Sequence, residues 1–513
     1  MTTAKSKHQR IRFHPLYYCL LIVAYVLTGC AIQPRPDWMS SKGTDTGKIE
    51  AVALATGKLN APECFAFYDT IDKVIRATKQ HTSNFPVQGY PFLRTNRFLS
   101  SFQNFSTPDQ YKTWLSHLNR LAIDGIEIEK AGISRDAVSH LQAQFKLGSI
   151  DTNLLQRCGE LLVDTVSQDL SLQQSLVRAS QVESSYSLPK RTLGIYPVSS
   201  LFLKLGIDRE HQSMLKKHNQ FDAKEQSLFN YQYQLDDDEG VPSPDEFKWT
   251  TDSLGMPLIN EQLKTALLRH YAPIISLPNT DEDNHPGEIT LTENNIPGFK
   301  STSAFVYTTL TFGRYRGQVI TQLNYSIWFK RRPAKGVVDI LAGEFDALVW
   351  RVNLLPSGEV LAYDSIHQCG CWYRVYPGQG FRLESDKQFF QEPVIAPKNL
   401  PTPQGNARVV LYLEADTHQL INVDVDSNSS ANINKMHYSL LPYEVLYKLR
   451  NEKASIFDEA GILRNSQRPE RWLLWTSGIE SPGAMRDFGY HAIAFIGQRH
   501  FDDAYLLDFI YRE

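Results

Sequence analysis

The stretch on which the fold class turns is Val319-Ile320-Thr321-Gln322-Leu323-Asn324-Tyr325-Ser326-Ile327-Trp328-Phe329. Val319, Thr321, Leu323, Tyr325, Ile327 and Phe329 share one parity, the period of two that puts alternate side chains on one face of a strand. The pattern extends outward from there. Val349 to Leu354 leads through Leu355-Pro356-Ser357-Gly358 into Glu359 to Ser365, and Val409 to Glu414 and Gln419 to Val425 flank Ala415-Asp416-Thr417-His418. Both read as hairpins. Further on come a short helix over Pro442 to Leu449, a helix start at Ser481-Pro482, a strand near His491 to Gln498 and an amphipathic piece from Asp502 to Tyr511. Residues 286–513 are therefore expected to form a β-rich α+β domain whose sheet is largely antiparallel.

Upstream the period changes to that of helices. Asn60 is placed to cap a helix with Pro62 in its first turn and Cys64, Phe67, Ile71, Val74 and Ile75 along one face. Thr107-Pro108-Asp109-Gln110 has capping-box spacing and leads into Tyr111, Trp114, Leu115, Leu118 and Leu121, with Gly125 as the expected stop. Further helices start at Ser134 and near Thr152, the latter running through Leu155, Cys158 and Leu162. Residues 60–183 read as a helical domain. Residues 184–285 form a mixed segment with acidic loops, Asp236 to Pro244 and Pro278 to Gly287, the second marking a domain boundary. The expected class is α+β, a helical N-terminal domain followed by this segment and then the β-rich domain.

The 513 residues carry 53 Lys+Arg against 56 Asp+Glu, a formal charge of −3. Four of the cations, Lys5, Lys7, Arg10 and Arg12, lie in residues 1–29, which hold no acid, so the remainder stands at −7. That balance argues against a nucleic-acid partner, which would need a concentrated basic face. After the basic stretch comes an apolar run from Leu16 to Leu27. As a helix it would reach only about 18 Å, short of a hydrocarbon core of about 30 Å, so it reads as the core of a signal peptide, not as a span.

Leu27-Thr28-Gly29-Cys30 resembles a bacterial lipobox. The resemblance implies cleavage of residues 1–29 as a lipoprotein signal peptide, acylation of Cys30, and a polar tether over residues 30–59 that holds the protein to membrane through its N-terminal lipid. Ala31 is not the Asp with which such lipoproteins mark inner-membrane retention. The implied location is the outer membrane, facing the periplasm.

Four cysteines then remain to fold: Cys64, Cys158, Cys369 and Cys371. Pairing is the starting assumption in an oxidising compartment, and Cys64 with Cys158 is the economical pair, since both fall on apolar helix faces of one domain. The densest constellation is Tyr363-Asp364-Ser365-Ile366-His367-Gln368-Cys369-Gly370-Cys371-Trp372-Tyr373. In an extended strand His367, Cys369 and Cys371 share a face, and all three bind zinc or another soft divalent metal. At about 3.3 Å per residue the ends of that series lie too far apart for one ion unless Gly370 bends the chain. Three readings stay open: structural thiols or a structural pair, a metal site completed from elsewhere, and a redox dithiol.

His418 sits at a hairpin turn. His491 and His500 have opposite strand parity unless Gly497 resets it, and His500 with Asp502 and Asp503 reads as a solvated helix start or a carboxylate-supported histidine. Glu344 and Asp346 share parity as paired carboxylates or as a water-facing strand edge. Gln368 to Trp372 is one residue short of the papain-type motif, and Pro189 spoils Ser187-Leu188-Pro189-Lys190 as a Ser-x-x-Lys site. No nucleophile elbow, zinc-protease, Walker or Rossmann motif is present.

Gln322 to Phe329, Tyr363 to Cys371 and Arg499-His500-Phe501-Asp502-Asp503 together resemble a group of large exported proteins and lipoproteins of Gram-negative bacteria, of no assigned activity. The similarity covers most of the mature chain and departs at Arg374, where members carry His. Two functions follow as expectations: an envelope binding or scaffold protein, or a periplasmic metal- or thiol-dependent enzyme centred on His367, Cys369 and Cys371.

Overall fold

The computed structural model describes Met39 and residues 60–78, 82–234, 249–278, 281–384, 391–426, 434–449 and 454–512. The stretch expected to be a signal peptide, Cys30, the expected tether apart from Met39, and the acidic loop at 236–244 lie outside these residues.

Each early helix begins where a polar side chain can satisfy its free N–H groups. Asn60 accepts from the Glu63 N–H at 3.0 Å and opens the helix Ala61–Thr78. Thr107 caps Pro108–Glu129, Ser134 caps Arg135–Phe145 and Asp151 caps Thr152–Ser167. Their apolar stripes meet in a core that includes Phe67, Ile71, Trp114, Leu118, Leu155 and Leu162. Cys64 and Cys158, both fully buried, form a disulfide that ties Ala61–Thr78 to Thr152–Ser167. Gly125 does not stop its helix. It lies one turn before the end, where a Cβ would fall 2.2 Å from the Arg94 guanidinium. The absent side chain lets Arg94 make a buried two-pronged pair with Glu129, at 2.8 and 2.5 Å.

Strands β1 (Phe85–Pro86) and β2 (Arg94–Thr95) make a small ribbon within this helical half. Helices Leu188–Leu193 and Tyr196–Gln220 then lead to β3 (Leu228–Tyr233), and Glu261–His270 leads to β4 (Ile274–Pro278). A hairpin of β5 (Glu288–Leu291) and β6 (Pro297–Lys300) precedes four long strands, β7 (Ala304–Tyr315), β8 (Gln318–Arg332), β9 (Gly343–Leu354) and β10 (Val360–His367). The remaining strands are β11 (Arg374–Pro377), β12 (Phe381–Leu383), β13 (Arg408–Leu413), β14 (Leu420–Asp426), β15 (Asn434–Pro442) and β16 (Ile510–Arg512). Ten of them form one mixed sheet in the order β11-β10-β9-β8-β7-β15-β3-β4-β13-β14. Neighbours from β11 to β7 are antiparallel, as alternation and short turns require. β15 runs parallel to both β7 and β3, and β13 runs parallel to β4. Helices therefore dominate the N-terminal half, and a large mixed sheet with antiparallel strands fills the C-terminal half. The sheet also draws β3 and β4 from the segment before residue 286.

Both faces of the sheet are covered. On one, Leu323, Tyr325, Ile327 and Phe329 of β8 pack with Trp350, Val352 and the helix Glu261–His270. On the other, Ile320 and Trp328 pack with Tyr443, Phe457, Met485 and Phe501. The second cover, residues 454–509, has little regular structure. No helix starts at Ser481, whose φ is +43°, and no strand spans His491 to Gln498, where only Ala492 bridges to His500. The amphipathic stretch after Asp502 is a run of turns. These side chains are placed by the sheet beneath them, so local periodicity misreads the backbone.

The same face carries an unusual row of polar groups. Asn324 on β8, Arg351 on β9 and Asp364 on β10 lie in cross-strand register, each almost wholly buried. Arg351 pairs with Asp364, donating to its Oδ1 from Nε at 2.8 Å. Asn353 links Gln322 to Asp364 at 2.9 Å on each side. Arg351 also donates to the Phe501 carbonyl at 2.7 Å, with the Phe501 ring 3.6 Å from its guanidinium carbon. Gln322, Asp364 and the Phe501 carbonyl, one from each of the stretches Gln322 to Phe329, Tyr363 to Cys371 and Arg499 to Asp503, thus meet around Arg351 and Asn353.

Candidate functional site

β10 ends at His367, and the chain reverses at once. The His367 N–H donates to the Cys371 carbonyl at 3.0 Å and the Gly370 N–H to the His367 carbonyl at 2.7 Å. Gly370 has φ of +89°, and a Cβ on it would fall 2.3 Å from the Ala492 carbonyl oxygen, so glycine is required twice over. The turn brings the cysteines together: the Cys371 N–H donates to Cys369 Sγ at 3.4 Å. Both thiols are free, Cys369 buried and Cys371 half-buried. The hydrogen bond to Cys369, followed by burial, pushes the Cys371 thiol well above its ordinary range, so it stays protonated at neutral pH.

His367 points at Asp346. Asp346 is fully buried, and three side chains share its carboxylate, to which the Ala347 N–H also donates at 3.2 Å. His367 Nδ1 lies 3.4 Å from Oδ1, His418 Nδ1 lies 2.9 Å from Oδ2, and Arg468 Nη2 donates to Oδ1 at 3.0 Å. Burial opposes the charge on Asp346, but Arg468 and the histidines outweigh it and hold the carboxyl well below its usual range. Burial in turn lowers His367, which is neutral. An ionised carboxylate only accepts, so each Nδ1 carries the proton. In His367 this leaves Nε2 as a lone pair. Neither Nε2, of His367 or of His418, has a hydrogen-bond partner among the described residues. His418 lies flat on Phe329 at 3.9 Å, while His367 meets the Trp372 ring edge-on at 4.5 Å.

Trp372, half-buried beside Cys371, donates from Nε1 to Glu210 at 3.1 Å. Arg332 lies over its ring at 5.7 Å, and burial raises the Glu470 carboxyl against the pull of Arg468 and Arg332. A neutral imidazole oriented by a carboxylate, with its other nitrogen bare, is the arrangement that a base or a metal ligand uses. Among the described residues, no group of three or more His, Cys, Asp or Glu is arranged to hold a metal ion.

The turn brings His367, Cys369 and Cys371 into one neighbourhood. Asp346, His418 and Arg468 come from three distant segments and complete it. The water-facing edge expected of Glu344 and Asp346 does not form: Phe345 has φ of +60°, alternation breaks, and Glu344 is exposed while Asp346 is sealed. His418 likewise leaves its turn for the core, with φ of +49°. His491 is fully buried, and burial together with Arg486 lowers it to about 3. His500 is carboxylate-supported, its Nδ1 3.4 Å from Asp503 and its Nε2 accepting from the Ser185 N–H at 3.1 Å, so it fastens segments together. Arg374 is a buried residue of β11. Elsewhere, a cleft of about 680 Å³ is lined by Arg97, Gln181, Glu392, Arg499, Asp503 and Tyr505 among others. No helix of the described residues is long and apolar enough to cross a membrane. No known protein-family model, curated protein or solved structure matches this chain.

Proposed function

We propose that this chain is a lipoprotein of the Gram-negative outer membrane, held on the periplasmic side by acylated Cys30 and acting there as an envelope binding or scaffold protein. The observation that carries the compartment is the buried Cys64–Cys158 disulfide, a bond that persists in an oxidising compartment and is rare in a reducing one. It agrees with Leu27-Thr28-Gly29-Cys30, and the resemblance to exported lipoproteins points the same way. The mixed polar cleft beside Arg97 and Arg499 supports the binding role, since clefts of this size with a few convergent charges take small polar ligands or peptide segments. Palmitate labelling and intact mass of the membrane-extracted protein test the anchor. Acylation at Cys30, abolished in Cys30→Ala, is expected; a Cys30→Ala protein that still carries lipid overturns it.

A second reading, a metal- or thiol-dependent enzyme at His367, Cys369 and Cys371, draws on the bare Nε2 atoms held by Asp346. Metal analysis and thiol titration of the protein and of Cys369→Ser test this reading. A metal-free protein whose two thiols react only after unfolding dismisses it.

A further inference from the structure

Most helices of this protein turn their apolar side inward, but two neighbouring elements do the reverse. Val198, Phe202 and Leu205 recur at helical spacing along Tyr196–Gln220 and face solvent, Phe202 being 72% exposed. Leu193 and Ile195 precede them, Leu193 at 78%, and the helix Arg471–Leu474 adds Trp472 at 70%. The two elements are fastened side by side. The Ser187 N–H donates to the Gly478 carbonyl at 2.7 Å, Arg191 Nε to the Ser477 carbonyl at 2.6 Å, and Lys190 pairs with Glu480. A Cβ on Gly194 would lie 2.8 Å from Thr476. Soluble monomers seldom leave this much large apolar surface together, so the face has an occupant.

Composition and reach select which one. Lys190, Arg191, Lys204 and Arg471 border the face, with Lys190 paired to Glu480 and Lys204 to Asp208. Exposed Trp, Phe and Leu above a rim of paired charges suit the headgroup layer of a bilayer, where indoles sit at the polar boundary and apolar side chains reach the acyl region. We infer that this face docks on the phospholipid surface, so that the folded body lies against the membrane instead of hanging free of it. The inference deepens the anchoring reading and takes only a distance from it: the residues from Cys30 to Asn60 span no more than about 100 Å, which keeps the body within reach of the bilayer.

The test uses the full chain bound to vesicles of phosphatidylethanolamine and phosphatidylglycerol with brominated acyl chains. Quenching of tryptophan emission is expected, and Trp472→Phe with Trp475→Phe should remove the quenched component. Leu193→Asp with Phe202→Asp should abolish quenching while the protein stays on the vesicles through its N-terminus and keeps its circular dichroism. Unquenched emission from vesicle-bound wild-type protein overturns the inference, as does quenching that survives the Asp pair. So does self-association without lipid that the Asp pair dissolves, which assigns the face to a second copy of this chain. Intact mass reads the anchor separately. An unacylated chain whose tryptophans are quenched sinks the lipoprotein reading alone; an acylated, unquenched one sinks docking alone.

Discussion

The helical half and the sheet bury different chemistry. Around the helix Pro108–Glu129 the interior is Phe, Leu, Ile and Trp, sealed by one disulfide and one ion pair, Arg94 with Glu129. Around β8 to β10 it holds Arg351 with Asp364, and Asp346 with Arg468 and two histidines, all nearly inaccessible to water. A disulfide acts mostly by restricting the unfolded chain and tolerates imprecise surroundings. Buried charges do the opposite: they cost desolvation and repay it only when every partner is in place, so they specify one arrangement of strands and cover. The helical half is therefore the part whose stability is bought by connectivity, and the sheet the part whose uniqueness depends on geometry.

The largest test of that contrast is Cys64→Ser. Opening a loop of 94 residues is expected to cost about 4 to 5 kcal/mol in the chain-entropy account, read from urea unfolding under non-reducing conditions. A cost under about 1 kcal/mol would show the helical half to be held by packing alone. Next comes Asp364→Leu, which strands Arg351 inside the sheet and should cost about 3 to 5 kcal/mol. Adding Arg351→Met should return most of it, because the pair, unlike the disulfide, is dispensable once both charges are gone. If the double variant is as unstable as the single, the network contributes more than a cancelled charge.

The pH dependence is subtler, because two buried groups in the cover oppose each other. Burial raises Asp487 from 3.8 to about 7 and lowers His491 from 6.5 to about 3. A raised carboxyl gives stability that is present below its unfolded value and lost as pH climbs to its folded one. A lowered imidazole gives stability that is present above its unfolded value and lost as pH falls. Between about pH 4 and 6.5 their slopes, each roughly 1.4 kcal/mol per pH unit, cancel. Asp487→Asn should expose a rise of stability with pH in that window, and His491→Phe a fall. Parallel curves for wild type and both variants would mean neither group stays in its uncharged form. The smallest effect belongs to the surface: Phe202→Asp should shift stability by no more than about 0.5 kcal/mol, since its side chain packs against little.

Legibility in the sequence follows the same divide. Asn60, Thr107, Ser134 and Asp151 could be read as helix starts because capping is local, and β8, β9 and β10 because alternation and turn residues are local. The Cys64–Cys158 pair followed from shared helix faces. The parallel insertion of β15 between β7 and β3 has no local signature, and residues 454–509 carry periodicities that the sheet overrides. At the candidate site, His367, Cys369, Gly370 and Cys371 were visible as one cluster. Asp346, His418 and Arg468 were not, because their meeting depends on strand register. One sign was available: Asp346 is a lone acid inside the apolar run Phe345 to Trp350, where a carboxylate persists only with buried partners.

The position of β15 has a consequence in time. It is the middle strand of the sheet, yet it is encoded after all nine of its companions. The two blocks it joins, β11 to β7 on one side and β3, β4, β13 and β14 on the other, stay separate until residue 442 has been made. The Phe501 carbonyl that completes the shell of Arg351 arrives later still. Synthesis must be nearly finished before the ten-stranded sheet can close, so its two blocks wait on about the last seventh of the chain.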